Sequence, residues 1–497
     1  MSKTLTAAIL TLGKMMALLA SIAIASALSR LLDKAEYGAF CQILMLFTMS
    51  SIIVRSGLPQ SVYYFLPRLD EPQKRGLILQ SVMLMAGFGF LVGLVLYLGS
   101  NLLGVYSGSE LLPCMLRNYA LYPVFILPIM VIESVFMSFN RIYTEFSFNV
   151  ISKIIVFFVV VTPIYLGYST VIAIRCWVIY AALQFFVLLI IVNGVTNTKK
   201  IELTRTNFIS QFKYSVPLSL AAIIGAFAAY ADKLSINILN ADPELFASYF
   251  NGAFELPLVG VIGGAVTMTM LPSMTEYVKE NRIDKFLSLW HRSQIKVAFI
   301  LFPMWLFFFV FAKEIILVLF SDKYESSVVY FQIFLCLIPA RLCVFSRITV
   351  PLNRNWIYTG GHLIQLIVGY VACFILIRRF GGIGAAIGML ISIYANVLFL
   401  AYNCSKLLNI RFYEIWPLRL FLVYFIYAVI SGCAGWIVCV KFPVSNIYWI
   451  LLKLLIGSFI CGGMYLITTW ITGVFNWREW TGALNFRFNG SSNKTKG

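Results

Sequence analysis

With 497 residues, 61% of them hydrophobic and only 12% charged, the chain carries about half the charge fraction of an ordinary soluble domain. Too few polar side chains remain to cover a water-soluble globule of this size, so the solvent that matches its surface is a lipid bilayer. The 38 Lys and Arg against 20 Asp and Glu leave a net charge of +18, whose meaning depends on where the cations sit.

Apolar runs of about 20 residues bounded by charge, Gly or Pro predict fourteen helices. They cover residues 5–28, 40–66, 77–99, 118–139, 148–168, 171–192, 214–239, 250–271, 295–320, 328–350, 357–377, 383–403, 417–440 and 447–472. The first reads as a retained span rather than a cleaved leader, because it is about 20 residues long and leads into further spans. The longest connection, 272–294 around Glu276 to Gln294, is short, so no aqueous domain is expected. The predicted fold class is thus an all-α polytopic membrane protein. If the N-terminus is inside, connections on that side hold 20 Lys and Arg, among them Arg68, Lys74, Lys199, Lys200 and Lys285, and those on the other side hold seven. This positive-inside asymmetry predicts that both termini are cytoplasmic. It accounts for most of the net charge without nucleic acid.

The chain also reads as a duplication. After the first helix comes Asp33, Lys34, Ala35, Glu36, Tyr37, Gly38, then a helix closing on Leu66 and Pro67; after the seventh comes Asp242, Pro243, Glu244, then a helix closing on Leu271 and Pro272. An offset of six helices keeps the orientation and predicts parallel repeats with a substrate path between them. The predicted organisation is an N-terminal six-helix lobe (1–192), a cytoplasmic inter-lobe loop (193–213), a second six-helix lobe (214–403), two additional helices (404–472) and a polar cytoplasmic tail (473–497).

Eleven basic residues fall within the spans against four acids, Glu133, Asp232, Glu255 and Glu314. A charge at the bilayer centre costs about 2.5–3.5 kcal/mol on insertion scales, so each is a functional candidate. Lys14, Lys296, Lys313, Glu314, Arg347 and Arg419 lie near helix ends, from which a long side chain can snorkel to water. Arg55 precedes Ser56, Gly57, Leu58 and Pro59 in mid-span, Arg341 follows Pro339, and Lys153 is a further cation within a span. Glu255 lies four residues after Asn251, so the two would share a helix face and could line a cavity together. Asp232 and Lys233 are adjacent, and pairing with other helices competes there with a ligand role. For Arg55, Arg341 and Glu255 the alternatives are a cavity-facing function and buried structural pairing. The cationic excess suits a polyanionic cargo, since arginine presents a rigid fork matching phosphate; a lone carboxylate such as Glu255 could take up a proton or a sodium ion.

No Walker A sequence is present, and ten scattered Cys with only two His suggest neither a metal site nor a disulfide framework. No cofactor is expected. Asn489 and Asn493 open glycosylation-type triplets in a tail expected to be cytoplasmic, so they read as incidental.

The order of Ser29, Arg30, Leu31, Leu32, then Glu36, Tyr37, Gly38, then Gly57, Leu58, Pro59, and finally Tyr64, Phe65, Leu66, Pro67 resembles the N-terminal half of Wzx-type (O-antigen flippase) polysaccharide exporters. Tyr249 to Pro257, Leu271, Pro272 and Phe320 to Tyr324 resemble the matching C-terminal half, and the similarity extends over about residues 5–400. The resemblance implies a MATE-like fold of the multidrug/oligosaccharidyl-lipid/polysaccharide superfamily, with two six-helix lobes around a cavity and two extra helices. It implies movement of undecaprenyl-pyrophosphate-linked oligosaccharide between leaflets by alternating access, with cationic cavity residues for the pyrophosphate and a proton or sodium gradient as driving force. Arg55 best matches the cationic role and Arg30 comes second, a helix-end anchor being the competing explanation for Arg30. The expected substrate-binding set is Arg55, Arg30, Arg341, Lys153 and Asn251, with Glu255 and Asp232 for ion coupling. Membrane lipids and other polysaccharide-assembly proteins are the further expected partners. The competing readings are a drug exporter, disfavoured by the basic span interior, a membrane polymerase or transferase, disfavoured by short outer connections, and a scaffold.

Overall fold

The computed structural model describes residues 3–55, 57–194, 200–442 and 446–473, and every regular element among them is helical. The first half comprises α1 (Lys3–Leu31), α2 (Lys34–Arg55), α3 (Leu58–Phe65), α4 (Glu71–Leu98), α5 (Ser100–Ser107), α6 (Leu112–Tyr119), α7 (Tyr122–Ser138), α8 (Ile142–Tyr165) and α9 (Thr170–Asn193). The second comprises α10 (Arg205–Ala229), α11 (Ala231–Asn240), α12 (Pro243–Gly252), α13 (Pro257–Lys279), α14 (Ile283–Val310), α15 (Ala312–Phe320), α16 (Ser327–Leu335), α17 (Ser346–Thr349) and α18 (Asn355–Leu407). Two further helices, α19 (Leu418–Cys439) and α20 (Ile447–Ile471), follow. The side chains of Lys14 and Arg55, residues Ser56 and Lys199, and the tail from 474 with Asn489 and Asn493 lie outside the described residues.

Among the described residues, eleven helices are long and apolar enough to cross a bilayer, or twelve if α6 and α7, bent by 50°, form one span. Fourteen were expected from apolar runs, and three features separate the counts. The broken α6–α7 pair is one, and the short apolar stretch Met15–Leu31 within α1 is another. The third is α18, in which two expected spans run together across Gly381, whose φ of 54° marks a left-handed turn that glycine adopts without strain. Two expected loops are also corrected. The 193–213 segment is helical from Arg205, because Gln211 is buried by hydrogen bonds that an apolar-run criterion does not see. Between Glu276 and Gln294 only Glu280–Arg282 is non-helical, since α14 carries Phe286 and Trp290 into the core, where the Trp290 indole donates to the Ile415 carbonyl at 2.9 Å.

The two halves meet along α2. Asp33 accepts from the Glu36 backbone N–H at 2.7 Å before α2, and Asp242 caps α12 by accepting from that of Glu244 at 2.9 Å. Helix α2 then lies so close to α12 that a Cβ on Gly38 would come within 2.1 Å of the Pro243 carbonyl oxygen. Tyr37 donates its hydroxyl to Asn251 Oδ1 at 2.8 Å and packs edge-on against Tyr324; one turn further, Gln42 donates to Asn237 at 2.7 Å. The Lys323 ammonium reaches the carbonyls of Arg30 and Leu32, closing the same end of the bundle. Toward the opposite end the halves are joined by α10. Its buried Gln211 donates to Ser61 at 3.0 Å and Ser81 at 2.7 Å, and accepts from Gln80 at 2.9 Å. The chain leaves helical geometry at Tyr230 (φ −115°, ψ 14°), after which α11 packs along α18.

Charges expected to snorkel are sealed in two places. Glu314 on α15 pairs with Lys453 on α20 at 2.6 Å, with side chains only 9% and 10% exposed, and this pair ties α20 to the second half. Arg347 is fully buried and donates to the Gly263 carbonyl at 2.7 Å and to Ser293 at 3.2 Å. Both departures have the same cause: a partner inside the bundle replaces the water that snorkelling would reach.

Gly38→Val should lower stability by about 1–3 kcal/mol through overpacking, read as a lower thermal midpoint in detergent; an unchanged midpoint would contradict the α2–α12 contact. Lys453→Met alone should cost about 3–5 kcal/mol by stranding Glu314, whereas Lys453→Met with Glu314→Leu should recover most of the loss. Equal losses in the single and double variants would show that the pair is not buried.

Candidate functional site

Two spans unwind opposite one another in the second half. Between α12 and α13, Ala253–Leu256 leave the helix. Pro257 explains the break, since a proline pushes the preceding residue to extended geometry, and Leu256 has ψ 118°. Between α16 and α17 the chain passes through a short 3-10 turn, Pro339–Leu342. Glu255 stands on the first break and Arg341 on the second. Arg341 Nε donates to Glu255 Oε2 at 3.0 Å and Nη2 donates to Oε1, making a two-pronged arginine–carboxylate pair. The two side chains are 37% and 39% exposed. A charged pair so accessible in mid-span belongs beside water rather than hydrocarbon, and irregular backbone at that depth is tolerated where it lines a cavity. His362 on α18 lies within reach of the Arg341 charge and packs edge-on against Tyr358.

The remaining sequence-derived candidates are dispersed. Asn251 does not share a free face with Glu255, because the break after Gly252 ends the helical spacing. Its Oδ1 is taken by Tyr37, and it is buried in the seam between the halves. Arg30 donates to the carbonyls of Leu317 at 3.3 Å and Val318 at 2.6 Å, which makes it the anchor of the α15 C-terminal turn. Lys153 is half-buried on α8 next to Ser152, which accepts from Gln184 on α9. Arg55 ends α2, with its side chain outside the described residues.

Asp232 is fully buried at the start of α11. Its Oδ2 accepts from the Tyr249 hydroxyl at 2.7 Å and lies 3.3 Å from the Lys233 ammonium, while Oδ1 has no hydrogen-bond partner among the described residues. Lys233 is in turn surrounded by the rings of Tyr230, Tyr249 and Phe334. The two adjacent charges therefore pair with each other rather than with other helices. Residues that sequence reasoning passed over are Tyr37, Gln42, Gln211, Tyr249 and His362. Gln42 and His362 are polar side chains inside apolar runs, a signal that was weighed only for formal charges, whereas Tyr37, Gln211 and Tyr249 lie just outside the runs.

A family model described as "Polysaccharide biosynthesis protein" matches residues 27–329. The probable low-salt glycan biosynthesis flippase Agl15 of Haloferax volcanii is 22% identical over 207 residues, which cover 41% of this chain and 43% of that protein. The match thus spans less than half of that relative's length. Among solved structures, the lipid II flippase MurJ in an inward closed conformation superposes with a TM-score of 0.73 at 14% identity, over 92% of this chain and 98% of that one. An inward-facing multidrug resistance MATE family transporter of the MOP superfamily gives 0.59 at 12% identity, over 79% and 95%. A MOP superfamily transporter from Pyrococcus furiosus, described as having a binding pocket of reverse polarity, gives 0.57 at 13%, over 81% and 95%. These likenesses establish a MATE-like fold, and with the family match over more than half of its length the chain belongs to the polysaccharide biosynthesis protein family.

Proposed function

We propose that this chain is a lipid-linked oligosaccharide flippase, not an enzyme. In this reading it carries an undecaprenyl-pyrophosphate-linked repeat unit of O-antigen, capsule or a similar polysaccharide across the bacterial inner membrane. Movement is by alternating access of two six-helix lobes, with both termini cytoplasmic. The observation that carries the reading is the accessible Arg341 guanidinium on a broken mid-span turn. A rigid two-donor edge at low dielectric is suited to a diphosphate, while the sugars and the polyprenyl tail need no charged partner. Organic cations would require an excess of acids instead, and the spans are net basic. The short connections argue against a polymerase or transferase with a catalytic outer domain.

Arg341 is the proposed phosphate ligand, with Arg55 as a second cation to be tested by mutation. Arg30 and Asn251 are better explained as structural, given their bonds to α15 and Tyr37. For ion coupling we assign Asp232 and Glu255 to proton or sodium exchange. Supporting Asp232 are its burial and its unpartnered oxygen, and supporting Glu255 is its access.

Deleting the gene should cause lipid-linked sugars to accumulate and surface polysaccharide to disappear, with mass analysis of the lipid fraction naming the cargo; an unchanged lipid-linked pool would sink the reading. Arg341→Ala should reduce export about 10- to 100-fold, the range expected for loss of a charge-assisted hydrogen-bond pair, at normal membrane abundance, with Arg341→Lys intermediate. In proteoliposomes, Asp232→Asn should blunt the response of transport to an ionophore; a wild-type response would remove Asp232 from coupling.

A further inference from the structure

Glu255 and Arg341, which the sequence suggests for two separate tasks, form one ion pair. We propose that the Glu255 carboxylate is a tethered competitor: it occupies the Arg341 donor edge that a phospho-anion of the cargo takes, so that only a more highly charged anion displaces it. The proposal rests on the reading of the cargo as a lipid-linked diphosphate.

The two oxygens of a carboxylate and two oxygens of a phosphate take the same edge of a guanidinium, here Nε and Nη2. While Glu255 holds that edge, an incoming anion must replace it. The comparison with other ion pairs shows why replacement is feasible at this one. Lys453–Glu314 and Lys233–Asp232 are sealed, with side chains no more than 11% exposed, whereas Glu255 and Arg341 are each more than a third open. The mounting also differs. Glu255 stands on unwound backbone flanked by Phe254, stacked on Phe331, and by buried Leu256, so the segment is anchored on both sides while the carboxylate can pivot between them.

Such a competitor sets an affinity threshold. A bilayer is full of phosphodiester headgroups carrying a single negative charge, and an open arginine in a cavity that such headgroups enter would bind them. A tethered carboxylate, at the millimolar effective concentration of a short flexible linkage, holds off these monoanions. A diphosphate, with more charge and more acceptor oxygens, wins the exchange. The device rejects competitors rather than adding affinity for the cargo. Displacement also frees a carboxylate in the site each time cargo binds.

The test uses the purified full chain in detergent with two probes, geranylgeranyl diphosphate and short-chain phosphatidylglycerol, and measures their dissociation constants. Glu255→Gln should bind both the diphosphate and phosphatidylglycerol about tenfold more tightly than the unaltered chain, because a competitor tethered at roughly ten times its own dissociation constant weakens every ligand of that edge by the same factor. Arg341→Ala should abolish the gain when combined with Glu255→Gln. Glu255→Asp, whose shorter side chain spans the two donors less well, should lie between and keeps the question open to measurement if Glu255→Gln does not fold. Diphosphate binding that is unchanged or weaker in Glu255→Gln and Glu255→Asp overturns the competitor and leaves the flippase reading standing. Failure of the unaltered chain and of Glu255→Gln alike to bind the diphosphate overturns the flippase reading itself.

Discussion

Within hydrocarbon there is no water to satisfy a peptide group or a charge, so every such group in a span must find its partner inside the chain. Most of this structure follows from that constraint. Backbone groups are satisfied by helices over most of the described residues. Charges are satisfied by capture: Glu314 by Lys453, Arg347 by a carbonyl and a serine, and Asp232 by Tyr249 and Lys233. Where the backbone does unwind, between α12 and α13 and between α16 and α17, the released segments bring an arginine and a carboxylate together at a point that stays accessible. The contrast between sealed and accessible pairs separates charges that hold the bundle together from charges that can exchange partners.

The same rule shapes the contacts between the halves. Apolar packing alone discriminates poorly between helices when the surrounding lipid is equally apolar, so polar and small residues set the register. At one end, Gly38 allows α2 to touch α12, and Tyr37 and Gln42 each donate one hydrogen bond across the seam. Toward the other end, Gln211 fastens α10 to α3 and α4 through two serines and a glutamine. Helix α10 thus opens the second half in the chain but is hydrogen-bonded to the first in space, and the break at Tyr230 is where its course changes. For the proposed transport cycle, motion of the halves must either keep that polar cluster together or exchange its bonds for others.

Much of the architecture was legible from apolar run length, because a bilayer imposes a length on whatever crosses it. The all-helical class and the approximate positions of most spans could be read this way. Run length misled wherever a span is interrupted or prolonged: the joined helices around Gly381, the bent α6–α7 pair, and polar helical turns such as Arg205–Lys213. The candidate site was half legible. Glu255 and Arg341 stood out as charges beside prolines in apolar runs, yet they are 86 positions apart and no local pattern announces that they pair.

What the sequence by itself determined is the solvent and the chemistry available: a bilayer protein made of helices, rich in buried cations and provided with proline breaks, because composition and run length act locally and need no knowledge of neighbours. Only the tertiary structure decided which charge meets which. Arg30 became a helix anchor, Asn251 part of a seam, Glu314 and Lys453 a sealed tie, and Glu255 and Arg341 an accessible pair. The physical reason is that at low dielectric the function of a charge is set by its nearest partner and its access to water, and both depend on segments distant in the chain.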